Sequence, residues 1–219
     1  MAVVHNTTLV PSKLELLAPW LPTQPWYRSA GPAELSRAGG FRLDDPAGEV
    51  GIELMVVNDA SGVNPMSYFT PLTYRGAPLS GADSHLIGTT EHGVLGRRWV
   101  YDGVHDVVCV DQVLALLSGN VVAQDQNDSN TVDPTVTREL SVAGGFSRSD
   151  ATAIESSATA TVARGLTLSN GPVALHVVRA LDSAANESPQ AGSIGEIVAG
   201  WTTIGGEARR GIFAFVTQD

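Results

Sequence analysis

Apolar positions in this chain fall mostly in short β-branched runs, and at helical spacing in only a few places. Residues 50–58 are an almost unbroken apolar run that ends in Asp59-Ala60-Ser61-Gly62, which predicts a strand followed by a turn. Residues 66–74 return as a second strand. Pro71 lies inside it and cannot donate to a ladder, so an edge strand or a bulge is expected there. Residues 85–92 and 95–101 flank Gly93 and read as a hairpin, and residues 3–10 read as a further strand. Helical signals are fewer. Residues 12–18 suggest a short helix with Leu14, Leu17 and Ala18 on its apolar face, ended by Pro22. Residues 32–38 suggest a second, closed by Gly39-Gly40. Val107, Val110, Leu114 and Leu117 recur at helical spacing, so a helix is expected over 106–118, stopped by Gly119.

Residues 123–134 (AQDQNDSNTVDP) have no apolar periodicity and read as a polar linker or surface loop. Beyond them the chain is β-rich. Strands are expected at 136–142, 158–168, 173–181, 194–203 and 211–216, with one helix candidate at 150–156. The fold class is therefore α+β: an antiparallel sheet decorated by helices over 1–122, a linker at 123–134, and a smaller β-rich unit over 135–219.

Two stretches carry a resemblance. The first is Trp20-Leu21-Pro22-Thr23-Gln24-Pro25-Trp26-Tyr27. The second is Tyr68-Phe69-Thr70-Pro71-Leu72-Thr73-Tyr74-Arg75, followed by Leu86-Ile87-Gly88-Thr89 and Trp99-Val100-Tyr101-Asp102. In order they resemble the W-L-P-x-Q-x-W-[FY], Y-x-x-P-L-x-Y-R, L-I-G-T and W-x-Y-D signatures of the N-terminal cap domain of actinobacterial maltokinases. The signature positions are Trp20, Leu21, Pro22, Gln24, Trp26, Tyr27, Pro71, Leu72, Tyr74, Arg75, Gly88, Trp99, Tyr101 and Asp102, and their expected role is structural. Pro25 departs from the pattern, since such caps tend to carry Arg before the Trp.

The resemblance implies kinase lobes after the cap. Residues 135–219 then correspond to a decayed intermediate lobe. In that lobe a strand pattern like L-K-x-x-R carries the phosphate-binding lysine. Leu175-His176-Val177-Val178-Arg179 is similar to it, with His176 at the degenerate lysine position. A neutral imidazole is no substitute for a flexible ammonium beside phosphates. Phosphoryl transfer also needs metal-holding acids and a base near the acceptor hydroxyl, and no His-x-Asp loop with a downstream Asn is found. The chain is expected to be no enzyme and to hold no cofactor.

Charge and composition narrow the partners. The formal net charge of −10 argues against nucleic acid and against anionic membrane surfaces. No apolar stretch is long enough to span a membrane and no signal segment opens the chain. With the lone Cys109 this suggests a cytoplasmic protein. Lys13 is the sole lysine among 13 cationic side chains. Glu91, Asp102, Asp106 and Glu196 are carboxylates without a spacing that marks a glycosidase pair. His85, His92 and His105 lack metal-ligand spacing, and no metal is expected. Trp20, Trp26, Tyr27, Trp99 and Tyr101 are read as packing groups, with sugar stacking as the competing role. Arg97-Arg98 and Arg209-Arg210 are the adjacent basic pairs, read as solvated strand ends or a docking patch.

The expectation is a stand-alone, non-catalytic cap-like protein acting by protein–protein interaction in trehalose, maltose or α-glucan metabolism. Its partner is unknown, with a homodimer or an enzyme of α-glucan metabolism as candidates. The alternative is a carbohydrate- or small-molecule-binding protein. A divergent sugar kinase or glucan-active enzyme is the remote one.

Overall fold

Glycine and proline punctuation cuts the chain into segments too short for long helices, and strands dominate. The computed structural model describes residues 8–29, 31–128, 130–142, 144–148, 153–168, 171–181 and 190–219. Among the described residues there are two α-helices, α1 (Lys13–Trp20) and α2 (Val107–Ser118). Strands β1 (Leu9–Val10), β2 (Leu35–Asp44), β3 (Gly51–Asp59), β4 (Met66–Arg75), β5 (Leu86–His92) and β6 (Gly96–Asp102) precede α2. After it come β7 (Thr137–Leu140), β8 (Ser147–Arg148), β9 (Ile154–Ser156), β10 (Ala160–Leu168), β11 (Gly171–Val178), β12 (Ser193–Thr202) and β13 (Ala208–Gln218). With 49% strand and 15% helix, the fold is mostly antiparallel β and richer in strand than the α+β expectation.

All the strands join one sheet in the order β1-β5-β6-β4-β3-β2-β12-β13-β11-β10-β8, with β7 on β12 and β9 on β10. The ends of the middle portion also meet. Phe69 N–H donates to Arg179 O and Leu181 N–H to Ser67 O, both at 2.9 Å, around the Tyr68↔Ala180 bridge. Strands β2, β3, β4, β11, β13 and β12 thus close a ring. The period-2 alternation fills that ring from both halves of the chain. Phe41, Leu54, Val56 and Phe69 meet Leu175, Val177, Ile197, Phe213 and Val216 in one core, into which α2 packs Cys109, Val110, Val113 and Leu117. Outside the ring, Leu16, Leu17, Leu21 and Trp26 from α1 and the turn after it cover Met55, Val57, Tyr68, Leu72 and Val100. Strand β3 is buried on both faces, which is why its sequence is apolar except at Glu53, Asn58 and Asp59.

The separation into 1–122 and 135–219 is therefore not a break in packing. The polar stretch between them is itself tied down. Ala123 is buried, and Gln124 bridges Arg42 on one side and Val132 on the other. A polar sequence is compatible with this because its backbone pairs with β2 and Gln126 donates its side-chain amide to Glu53.

Pro71 lies in neither an edge strand nor a bulge. Within β4 it pairs with Leu54 of β3, at the point where the other edge of β4 changes partner: residues 67–69 bond to 179–181, and 72–75 pair with β6. The missing N–H faces the gap between those partners, so no ladder bond is lost.

The helix expected at 32–38 is strand β2, and Gly39-Gly40 is a bulge inside it. The register against β3 shifts between Arg37 and Gly39, and φ is +140° and +126°. A Cβ on Gly40 would sit 2.2 Å from Leu54 O, so only glycine lets β2 and β3 approach there. The helix candidate at 150–156 is strand over Ile154–Ser156, its first residues lying outside the described ones. Residues 3–10 are strand at Leu9–Val10, with 1–7 likewise outside.

Helix α2 matches its prediction. Asp106 caps it by accepting Val108 N–H, and Gly119 ends it at φ +76°. Helix α1 opens with a Ser12–Glu15 capping box and runs past Pro19 to Trp20, burying Leu16 and Leu17 where Leu14, Leu17 and Ala18 were expected.

Candidate functional site

Trp20, Leu21, Trp26, Tyr27, Leu72 and Tyr74 gather beneath α1 on the outer face of the sheet, whereas Pro71 lines the inner cavity and Arg75 reaches Asp106 at the start of α2. Trp20, half-buried, meets Trp26 edge-on at 5.7 Å. Buried Leu21 opens the single 3-10 turn that follows α1, with Pro22 second in it. Gln24 donates to Thr23 Oγ1 at 2.9 Å and closes that turn. Trp26 is fully buried, 5.8 Å from Tyr68 and 5.0 Å from the Arg179 guanidinium, which stacks over it. Tyr27 donates its hydroxyl to Asp59 Oδ2 at 2.9 Å.

Three ion-pair systems tie the signature residues into the fold. Arg179 Nη2 reaches both carboxylate oxygens of Asp102, at 2.9 and 2.7 Å, with side chains 0% and 5% exposed. Its Nε donates to Thr161 Oγ1 at 2.9 Å. Arg75 makes a fork to Asp106 at 2.6 and 2.7 Å. The hydrogen bond that Arg75 donates to Asp106 holds the guanidinium above its ordinary pKa. Lys13, the sole lysine, pairs with Glu53 at 2.6 Å, and Tyr74 and Gln126 also donate to that carboxylate, at 2.7 and 2.9 Å. Burial pushes Glu53 up, but the Lys13 charge and the bonds from Lys13 and Tyr74 outweigh it and leave the carboxyl below its usual value. Tyr74 is driven up by burial and by the Glu53 charge. Tyr101 accepts Leu79 N–H at 2.9 Å, and Leu72 is buried beside Tyr68. Gly88 admits α1, since a Cβ there would lie 2.7 Å from Leu16 Cδ2.

Residues 20–106 match the family model of the maltokinase N-terminal cap domain. The matched residues contain all fourteen signature positions of the sequence analysis. No curated protein matches the chain.

The remaining candidates separate. His176 lies on β11, directly opposite Phe215, with rings stacked at 4.5 Å and Nε2 2.9 Å from Thr217 Oγ1. Burial first, then Arg164, holds its pKa below the ordinary value. It thus sits as a neutral ring in a cross-strand ladder. Asp102 and Asp106 are spent on different arginines, Glu91 lies on the β5–β6 hairpin, and Glu196 accepts the Gln190 N–H at 2.9 Å on β12.

His85 and His105 come together, which sequence spacing did not foretell. Their rings stack at 3.3 Å with a 7° interplanar angle. His105 is pushed down to about 4, mainly by burial, with His85 and Arg179 adding and Asp102 opposing. His92 accepts the N–H groups of Val94 and Leu95 on Nδ1. Among the described residues no group of three or more His, Cys, Asp or Glu side chains is arranged to hold a metal ion. Burial raises the Cys109 thiol far above its usual range. The core around it leaves a cavity of about 20 Å³, lined by apolar side chains including Phe41, Phe69 and Val110, which is room for little more than a water molecule. No helix among the described residues is long and apolar enough to cross a membrane.

Proposed function

We propose that this chain is a non-catalytic, cap-like module that acts through protein–protein contact in trehalose, maltose or α-glucan metabolism. The observation that carries the reading is the match of residues 20–106 to the maltokinase cap, combined with the fate of its polar signature groups. Asp102, Arg75 and Tyr74 are each taken up by partners within the fold. Groups already paired in the interior are not poised for an incoming substrate. Two further features support it. The sole lysine is bound to Glu53, and a neutral His176 stands at the position that the resemblance assigns to a phosphate-binding lysine. What remains for function is the outer surface.

The test is direct. The purified protein, given ATP and magnesium with maltose, glucose or trehalose, shows no phosphate transfer above a buffer control, and His176→Lys adds none. Transfer to any of the three sugars, lost on mutation of this chain, overturns the reading. In parallel, affinity capture from native cytosol returns an enzyme of α-glucan metabolism. Binding of that enzyme, once purified, must be reproducible at defined stoichiometry.

A further inference from the structure

Resting on that interaction reading, we infer that the free end of the β5–β6 hairpin is the docking element, and that it seats in an apolar socket rimmed by carboxylates on a larger protein. The hairpin extends beyond the closed ring. Strand β6 pairs with β4 only through residues 99–102, so Gly96–Arg98 are held by β5 alone, with the two-residue β1 along the outer edge.

Three exposed apolar side chains gather at this end: Val94 at 62%, Leu95 at 46% and Val10 at 66%. The register places Val10 opposite Glu91 and Glu91 opposite Arg97. These three therefore share one face, with Trp99 two residues further along it. Arg97 lies over the Trp99 ring at 5.7 Å, and its distance to Glu91 is a loose 3.9 Å, with both side chains more than half exposed. Its Nη2 donates to Thr89 Oγ1 at a long 3.5 Å, so these contacts steady an exposed guanidinium that a partner's carboxylate can still reach.

The tip is preorganised. His92 Nδ1 accepts the N–H groups of Val94 and Leu95 at 3.2 and 3.0 Å, Arg98 Nη2 donates to Leu95 O at 3.0 Å, and Gly96 turns the chain at φ +70°. A braced loop loses little entropy on binding. The other basic pair is committed to the fold: Arg210 donates to Thr135 O and Thr137 Oγ1, and Arg209 pairs with Glu207 at 3.0 Å.

Size and charge choose the occupant. Three apolar side chains fall well short of the roughly 800 Å² per partner that a stable face-to-face dimer buries, whereas a narrow tip suits a socket. The end is cationic on a chain of net charge −10, so it complements an acidic rim.

The experiment places a photo-reactive amino acid at position 95, at position 63 (Val63, fully exposed on a turn) or at position 167 (exposed, on β10) of the full chain, with irradiation in native cytosol. Position 95 gives one discrete adduct with another protein, mapped beside Asp or Glu residues. With that protein purified, Arg97→Glu weakens binding tenfold or more without lowering the melting temperature. Reversing the facing acid to Arg restores it, and affinity falls as salt rises. No adduct at 95 beyond the position-63 background, an adduct with a second copy only, a basic contact site, or unchanged affinity of Arg97→Glu overturns the proposal. An adduct at 167 alone sinks the hairpin and leaves the interaction reading standing. No adduct at any position sinks both.

Discussion

Arg179→Met tests whether the two halves of the chain form one thermodynamic unit. The guanidinium is 0% exposed and the Asp102 side chain 5%, and the substitution leaves that carboxylate buried without its cation, with Val104 N–H donating to it at 3.4 Å. Removing one partner of a buried ion pair costs about 3–5 kcal/mol, because the other charge stays desolvated. For this chain an unfolding entropy of about 2.1 cal/mol/K per residue gives roughly 0.46 kcal/mol/K, so the melting temperature drops by roughly 7–11 °C. Replacing both partners, Asp102→Leu with Arg179→Met, recovers most of the loss, since a well-packed apolar pair is often neutral relative to the ion pair.

The assay is urea unfolding of wild type, both single variants and the double, followed by tryptophan fluorescence and far-UV circular dichroism. One shared core predicts a single coincident transition in all four proteins. The reasoning fails if either single variant lies within about 1 kcal/mol of wild type. It fails equally if unfolding splits into two steps and Arg179→Met moves only the one belonging to the second half.

Two further perturbations read the other buried charges. Lys13→Met strands Glu53 and costs about 3–5 kcal/mol at neutral pH. The folded pKa of Glu53 lies below its usual value of 4.5, so the stability it contributes is present above that value and lost as pH falls through the folded one. The penalty of Lys13→Met therefore shrinks below about pH 4.5, and equal melting penalties at pH 7 and pH 4 would refute the pairing. His105 is held down to about 4 from 6.5. The unfolded chain then takes up a proton that the folded one refuses, and stability falls as pH drops from 6.5 toward 4. Because the ring is only partly buried, the effect is discounted to roughly 1–2 kcal/mol. His105→Asn removes that slope, and an unchanged pH profile of chemical denaturation would count against the assignment.

What the sequence disclosed was local. Helix α2 was legible because its cap, its apolar spacing and its glycine stop all lie within fourteen residues. The hairpin around Gly93 and the five principal strands of the second half were legible from β-branched runs and turn residues. Residues 32–38 misled because Ala-Glu-Leu-Ser-Arg-Ala has good helix composition, while nine cross-strand pairings with β3 decide the outcome. Pairings across long separations leave no such trace. Asp102 and Arg179 stand 77 residues apart, and His85 and His105 belong to different turns. The available signal was thin: one acid ending the run Trp99-Val100-Tyr101 and one arginine ending Leu175-His176-Val177-Val178, opposite charges at the ends of buried strands.

The family match and the packing unit have different boundaries, and that mismatch makes a prediction. The match stops at residue 106, yet β4 within it takes its hydrogen-bond partners for Ser67 and Phe69 from residues 179–181. The carboxylate of Asp102 takes Arg179, and the bulge at Gly39 takes Trp201. A fragment ending at residue 122 keeps every signature residue but opens the β4 edge. It also strands a buried carboxylate and exposes the inner face of β2 and β3 that Leu175, Ile197 and Phe213 cover. Such a fragment does not fold. It is protease-sensitive throughout and shows no cooperative melt, whereas the full chain resists cleavage at 123–134 because Gln124 is bonded on both sides. A soluble fragment with a sharp thermal transition would show instead that the cap holds its own fold and that the closed ring is an accessory to it.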